Sequence, residues 1–496
     1  MTAAADARPR IGLEIHIYVR TRAKMFCACP ADPLGSPAPN TYVCETCTGQ
    51  PGARPMAPNA AALAAGIRVA RALGCRIRPA TRFLRKHYWY PDLPSNYQRT
   101  SEPFAEGGTL AIATGGSPVR IREIHWEEDP GAYDLDAGLV DYDRSGMPLL
   151  EIVTEPDLRS AEDARAFLQE LAVVLRYLGC WREEAGVKTD VNVSLEGGAR
   201  VEMSAGEAGG HSTRAGARVE MSAGETGGHS TRAGARVEIK NVTGFRNAER
   251  AAAGEIARQR AGLAEGRPAV RETRGFDEAS GETSRLRSKE EAVDYRFFPD
   301  PDLPPLADLD ALAPPEEGPL ARRARLAALA GVEPREATPL VEELAIADAF
   351  ELAAARAGAR LAFEFLVRDV RAELAYRSTS LAASKVTPAD VAELVACLAA
   401  ARVTAQVATR VLREALDDGD LATRLGKETA AGLSASGEVA RAALAAVAAN
   451  PKAVADWHGG KAGALNFLVG QAMKVLKGRG KPDEVRAAVE AALARR

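Results

Sequence analysis

Apolar and polar positions alternate from the start of the chain. In IGLEIHIYV, Leu13, Ile15, Ile17 and Val19 fall on one face of a strand, with Glu14, His16 and Tyr18 on the other. The same period recurs in PLLEIVT, where Leu149, Glu151 and Val153 share one face and Leu150, Ile152 and Thr154 the other. KTDVNVSL sets Asp190, Asn192 and Ser194 against Val191, Val193 and Leu195, and VEIKN aligns Glu238 with Lys240. Strands that each present one polar face predict a concave site lined by a sheet. Between Ser160 and Gly179 the period becomes helical: Ser160 caps, Glu162 and Asp163 occupy the first turn, and Phe167, Leu168, Leu171, Leu175 and Leu178 form one stripe. Beyond Leu306, Ala and Leu dominate at helical spacing, after a junction whose prolines break any continuous element. The pattern predicts an α+β chain: a large N-terminal sheet-based domain over 1–304, an all-helical connector over 305–348 and a helical tail domain over 349–496. Leu465, Phe467, Leu468 and Met473 are expected in the core of the tail.

One segment lies outside these periods. Gly198 to Ala215 and Gly216 to Ala233 are near-identical units, differing only where Ala208 is replaced by Thr226. They carry too little apolar surface to stack as a solenoid, so the insertion at 198–233 reads as a surface loop with His211 and His229 solvated.

The chain has 496 residues, 46% hydrophobic and 26% charged, with a formal net charge of -3. That is a soluble globular composition and argues against a broadly basic nucleic-acid wrapper. A local basic stretch remains: Pro451 to Arg496 holds nine Lys or Arg against four Asp or Glu. No run approaches the roughly 20 apolar residues of a membrane span, and the N-terminus lacks a signal-peptide pattern, so a cytoplasmic protein is expected.

Acidic residues crowd into strand-like segments between Glu123 and Asp157. Glu151 sits among apolar neighbours, where an isolated carboxylate must be protonated, paired with a cation or bound to a metal. Glu127, Glu128 and Glu151 suit a hard ion such as magnesium; an acidic turn with one ion-paired Glu is the competing reading. Glu14 and His16 could hold a metal or orient a phosphate, and Asp190, Asn192 and Ser194 could bind phosphate, sugar or metal-bound water; solvated strand faces would look alike. No GxxxxGK[ST], GxGxxG or GxSxG motif is present, so a bound nucleotide would depend on carboxylates and metal. Cys27, Cys29, Cys44 and Cys47 form C-x-C followed by C-x-x-C in a loop-rich stretch, a pattern for a closed structural zinc. Cys75, Cys180 and Cys397 read as small buried hydrophobes. Arg85, Lys86, Tyr88, Trp89 and Tyr90 mix cations and aromatics, fitting a nucleic-acid contact, a polar passage or an amphipathic strand edge.

The motifs IGLEIHIYVRTRAKMFC, RKHYWYPDLPSNYQ, HWEEDPG, DYDRSGMPLLEIVTEPDLRS, KTDVNVSL, VEIKNV, DYRFFPDPDLPP and LVGQAMKVLKG, in this order, resemble the B subunit of the bacterial aspartyl/glutamyl-tRNA amidotransferase. The resemblance implies a catalytic cradle followed by a tRNA-binding tail, in a heterotrimeric ligase with an amidase (glutaminase) subunit and a small third subunit. It implies that ATP and Mg2+ serve to phosphorylate the side-chain carboxylate of Glu-tRNA(Gln) or Asp-tRNA(Asn), which ammonia then amidates. It gives Glu14, His16, Glu128 and Glu151 to metal and phosphate, with Glu127 as the alternate, and places Lys86 near the ammonia route; Asp190, Asn192, Ser194 and Lys240, on the polar strand faces, are the candidates for nucleotide contact. Departures such as Arg99 and Ser101 after Tyr97-Gln98, and Thr243-Gly244 after Lys240-Asn241, leave open a zinc-stapled tRNA-binding adaptor with weakened catalysis.

Overall fold

A computed structural model describes residues 7–32, 38–134, 136–196, 234–267, 269–288, 296–461, 463–476 and 482–494; the repeated insertion, with His211 and His229, lies outside them. The chain divides into two units, Met1–Arg322 and Arg323–Arg496.

In the first unit, ten strands run as one continuous path: β1 (Arg8–Tyr18), β2 (Phe83–His87), β3 (Tyr97–Ser101), β4 (Val119–Glu128), β5 (Pro148–Thr154), β6 (Val187–Glu196), β7 (Val237–Thr243), β8 (Glu272–Phe276), β9 (Thr283–Ser288) and β10 (Arg296–Pro299). Their spatial order is β9-β8-β7-β6-β1-β5-β4-β3-β2-β10. Neighbours are antiparallel except β7 and β8, which are parallel. The alternation in sequence becomes two chemically distinct faces: Ile11, Leu13, Ile15 and Ile17 are wholly buried, while Glu14 and His16 are only half-buried. Each such aliphatic side chain contributes roughly 1.5–3 kcal/mol by leaving water.

Three helices pack against this sheet or one another: α1 (Ala60–Ala72), α2 (Ala161–Leu178) and α3 (Phe245–Ala264). α2 is the helix expected from the sequence. Ser160 and Asp163 close a reciprocal capping box at its start, and Gly179 ends it in the left-handed region with φ 62°. Gly66 of α1 lies against the indole of Trp126, which stacks on Phe104 with ring centroids 3.6 Å apart.

In β4 the pairing to β5 slips by one residue: Thr154 faces Ile121 and Val153 faces Glu123, leaving Arg122 as the extra residue. Before this bulge Val119 and Ile121 point inward; after it Ile124 and Trp126 do. Glu123, His125 and Glu127 are thereby carried to the polar face.

Beyond Arg322 the described chain is helical, as its Ala/Leu spacing predicts. Leu421–Ala449, Gly463–Val475 and Pro482–Leu493 pack around Val447, Leu468, Val485, Val489 and Leu493. Leu465 and Met473 join this core partly buried, whereas Phe467, expected inside, is 49% exposed. Two residues of the expected connector, Leu306 and Ala307, form a short strand against Ala80–Thr81 in the first unit.

Candidate active site

Strand register decides which polar side chains meet. Glu14 pairs across with Asp190 on β6, His16 with Glu151 on β5, Glu151 with His125 on β4, and Glu127 with Thr100 on β3. Directly opposed residues share a face, so these groups line one polar surface. His16 Nε2 lies 3.5 Å from Glu127 Oε2 and 3.7 Å from Glu151 Oε2. Glu14, His16 and Glu151 offer ligand atoms within 4.8 Å of one another, and so do Glu14, Asp190 and Glu238, with Glu14 common to both groups. Lys240 donates to Asp190 Oδ2 at 2.7 Å and lies 3.2 Å from Glu238 Oε1. Asn192, opposite Gly12 and Glu238, has a buried Oδ1 without a hydrogen-bond partner among the described residues.

Glu128, expected beside Glu151, is turned away from this cluster. Being adjacent to Glu127 on a strand, it points to the other face, where it accepts from the Arg99 backbone N–H at 3.1 Å and from Arg99 Nη1 at 3.3 Å. Arg99 in turn donates to Asp300 at 2.8 Å. Ser194 also stands apart: its cross-strand partner is Arg10, and it lies about 13 Å along β6 from Asp190 at the usual rise per residue. Lys86 pairs across with Gln98 on β3, and its positive charge favours ionised Glu151.

The charges are strongly interdependent. Burial and the neighbouring Glu151 raise the Glu14 carboxyl to about 7, against the opposing pull of His16. Burial opposes a charged His16, yet hydrogen bonds to Glu127 and Glu151 outweigh it and raise its pKa well above the ordinary value. Glu151 moves the other way: burial alone would raise it, but His16, His125 and Lys86 hold it far below the carboxylate range. Lys240 is likewise kept charged, since Asp190, Glu238 and Glu14 overcome its burial. A half-buried surface that gathers these carboxylates around the His16 and His125 imidazoles and the Lys240 ammonium could hold a metal ion.

A second cluster lies in the loop after β1. Cys27, Cys29, Cys44 and Cys47 bring their sulfurs within 4.8 Å of one another and could hold a metal ion. The buried Lys24 ammonium donates to the Tyr42 carbonyl at 2.7 Å and reaches Cys47 Sγ at 3.5 Å. A hydrogen bond from Cys27 is the main cause lowering the Cys47 thiol to about 5, with Lys24 contributing. The loop is tied to the segment leading into β5, because Ser145 donates to the Cys47 carbonyl at 2.7 Å. Cys75, Cys180 and Cys397 are buried, as expected.

Residues 9–312 match the GatB/GatE catalytic domain and residues 348–493 the GatB domain. Over 96% of this chain and 98% of its own length, the B subunit of the aspartyl/glutamyl-tRNA(Asn/Gln) amidotransferase of Methanothermobacter thermautotrophicus is 40% identical. The corresponding proteins of Methanopyrus kandleri and Haloarcula marismortui are 39% and 36% identical, over 96% and 98% of both chains. The chain belongs to the B-subunit (GatB) family of tRNA-dependent amidotransferases. All three organisms are archaea, whereas the motifs suggest the bacterial enzyme.

Within this GatB chain, sequence reasoning singled out Glu14, His16, Glu151, Asp190, Asn192 and Lys240, and all lie on the shared polar face. It missed His125 and Gln98. His125, buried between Glu151 and Glu123, has its pKa raised to about 9, because the Glu123 hydrogen bond and the Glu151 charge outweigh burial. Gln98 donates to Glu127 Oε2 at 3.3 Å. A signal for His125 was present: it stands two residues before Glu127, hence on the same strand face.

Proposed function

We propose that the polar face of the first unit binds ATP with magnesium and activates the side-chain carboxylate of glutamate on tRNA(Gln), or of aspartate on tRNA(Asn). The observation that carries this reading is the convergence of Glu127 and Glu151, from two further strands, on the His16 imidazole, with Glu14 beside them. Three carboxylates and an imidazole fit a divalent ion, which supplies charge neutralisation for phosphoryl transfer when bound. Lys240 and the unpartnered Asn192 Oδ1 fit the nucleotide: an ammonium for phosphate oxygens and an acceptor for a hydroxyl. Asp190 holds Lys240 in place.

A carboxylate is a poor acyl donor because its leaving group would be oxide. Transfer of the γ-phosphoryl group from ATP to the carboxylate oxygen yields an acyl phosphate and ADP. Ammonia then attacks the acyl carbon, the C–N bond forms, the C–O bond to phosphate breaks, and phosphate departs with its electron pair and takes up the proton that the nitrogen loses. The ammonia comes from glutamine hydrolysis in a separate amidase subunit, in a complex completed by a small third subunit. Lys86 lies on its route. The four cysteines hold a structural zinc, because four protein ligands leave no open position for substrate. The cationic stretch Pro451–Arg496 favours contact with the tRNA body. Such a complex works in the cytoplasm, and no helix among the described residues is long and apolar enough to cross a membrane.

The test is amidation of Glu-tRNA(Gln) and Asp-tRNA(Asn) by the reconstituted complex, with ATP omitted as control. Glu151→Gln should reduce ATP-dependent amidation by at least about a hundredfold while leaving glutaminase activity of the partner in place. Undiminished amidation by that variant would refute the catalytic reading and leave the chain as a tRNA-binding adaptor.

A further inference from the structure

We infer that Gln98 and Tyr88 are positioning residues for Glu127, the carboxylate that meets His16 at the proposed divalent-cation site; the inference rests on the cation site proposed above. The Gln98 amide is nearly buried on β3, and its hydrogen-bonding groups are engaged. Its Nε2 donates to Glu127 Oε2 at 3.3 Å and to the Glu128 carbonyl at 2.9 Å, while its Oε1 accepts from the Tyr88 hydroxyl at 3.0 Å. Reversing the amide would set its oxygen against a carboxylate and a main-chain carbonyl, two groups that can only accept. The amide is therefore locked with an N–H aimed at Glu127.

The choice of donor matters chemically. Glu127 is 2% exposed, and the Oε2 that accepts the Gln98 N–H also lies 3.5 Å from His16 Nε2. A lysine or arginine at Gln98 would cancel the charge that attracts a divalent ion; a neutral amide fixes the carboxylate's orientation and leaves the charge. Magnesium demands near-ideal octahedral geometry, so a carboxylate free to swing serves it less well than one fixed by a hydrogen bond. Glu14, His16 and Glu151 offer ligand atoms within 4.8 Å of one another; Glu127 adjoins that group through His16 and is held by the Gln98 amide.

The relay leads outward. Tyr88 begins an aromatic run, with ring centroids 5.8 Å from Tyr90, which in turn lies 6.5 Å from Tyr133. Trp89 and Tyr90 are exposed, so the hydroxyl that sets the Gln98 amide belongs to a surface loop.

The experiment measures Mn2+ binding to the full-length chain by electron paramagnetic resonance, with thermal unfolding of each variant as the fold check. Gln98→Leu should raise the Mn2+ Kd by roughly tenfold or more, the usual range for removing an outer-shell partner of a metal ligand. Tyr88→Phe, which keeps the ring and removes one oxygen, should raise it by less at an unchanged unfolding midpoint, and serves where Gln98→Leu fails to fold. A Kd unchanged in both, while Glu127→Gln loses Mn2+, overturns the relay and spares the cation site. Mn2+ binding that survives Glu127→Gln overturns Glu127 as a ligand, and the relay with it. A Kd unchanged in Tyr88→Phe alone removes the tyrosine from the relay.

Discussion

Asp300 offers a sharp energetic test of how the strand carrying Glu127 is braced from behind. Its side chain is wholly buried and accepts from Arg85 Nε at 3.0 Å, Arg99 Nε at 2.8 Å and the Asp302 N–H at 2.9 Å. Arg99 is itself 6% exposed at the side chain and grips Glu128 at the end of β4. Asp300→Asn keeps the shape and removes the charge, leaving two guanidinium groups short of an anion. Removing one partner of a buried ion pair costs about 3–5 kcal/mol. Arg99 retains Glu128 and Arg85 retains Asp302, so the low end, about 3 kcal/mol, is expected. Asp302→Asn is the control: that carboxylate is 38% exposed, its pair with Arg85 is screened, and less than about 1 kcal/mol should be lost. Urea unfolding followed by tryptophan fluorescence reports mainly on the first unit, since Trp89, Trp126 and Trp181 lie there and only Trp457 lies elsewhere. A loss of about 3 kcal/mol corresponds to a midpoint lower by about 1 M. Burial would raise the Asp300 carboxyl, but Arg85, the Asp302 N–H and Arg99 outweigh it and hold it below 3.8. The sign follows: its contribution is complete above about pH 4 and lost as pH falls through the depressed folded value. The gap between wild type and Asp300→Asn should thus be constant from about pH 7 to about pH 5 and close only in stronger acid. Equal midpoints at neutral pH, or equal losses for Asp300→Asn and Asp302→Asn, would refute the reasoning.

Gly66→Ala should destabilise the first unit by about 1–3 kcal/mol, because its Cβ would collide with the Trp126 indole, itself pinned against Phe104; a melting temperature within a degree of wild type would contradict this. Lys240→Met removes the counter-ion shared by Asp190, Glu238 and Glu14, and the KM for ATP in the amidation assay should rise roughly tenfold, as for loss of one charged hydrogen bond. An unchanged KM would take Lys240 out of the nucleotide site. Elemental analysis of purified protein should find about one zinc per chain, and Cys47→Ser should release it and lower the melting temperature. Zinc absent from the wild type would sink the four-cysteine assignment.

The faces of isolated strands were legible in the sequence because side-chain period two is local: Glu14, His16, Asp190 and Lys240 could each be put on a polar face, and Glu151 stood out as a carboxylate sharing its face with Leu149 and Val153. Neighbourhood was not legible. Which strand lies beside which, and in what register, is settled by packing across the sheet, so the meeting of His16 with Glu127 and Glu151 had to be seen. The choice between Glu127 and Glu128 depended on the extra residue in β4, which interrupts the alternation just upstream. The helix from Ala161 was readable in full because its cap, stripe and terminal glycine are sequence-local. Phe467 misled for the converse reason: an aromatic at helical spacing reads as core unless the neighbouring helices are known.

Arg122 also carries a lesson in counting. Its guanidinium is tied outside to Glu155 at 3.1 Å, and its backbone is the residue that β5 does not match. Remove it, and Ile121 becomes the direct neighbour of Glu123, one inward and one outward, which is what an unbroken strand requires. A chain lacking Arg122 should therefore present the same acids and the same core residues on a straighter strand. Deleting Trp126 instead would turn over every side chain on one side of the cut, burying carboxylates and exposing the core. Length changes in β4 are thus tolerated at one point and ruinous a few residues later, and an insertion or deletion in a related chain can be judged by where it falls relative to that point.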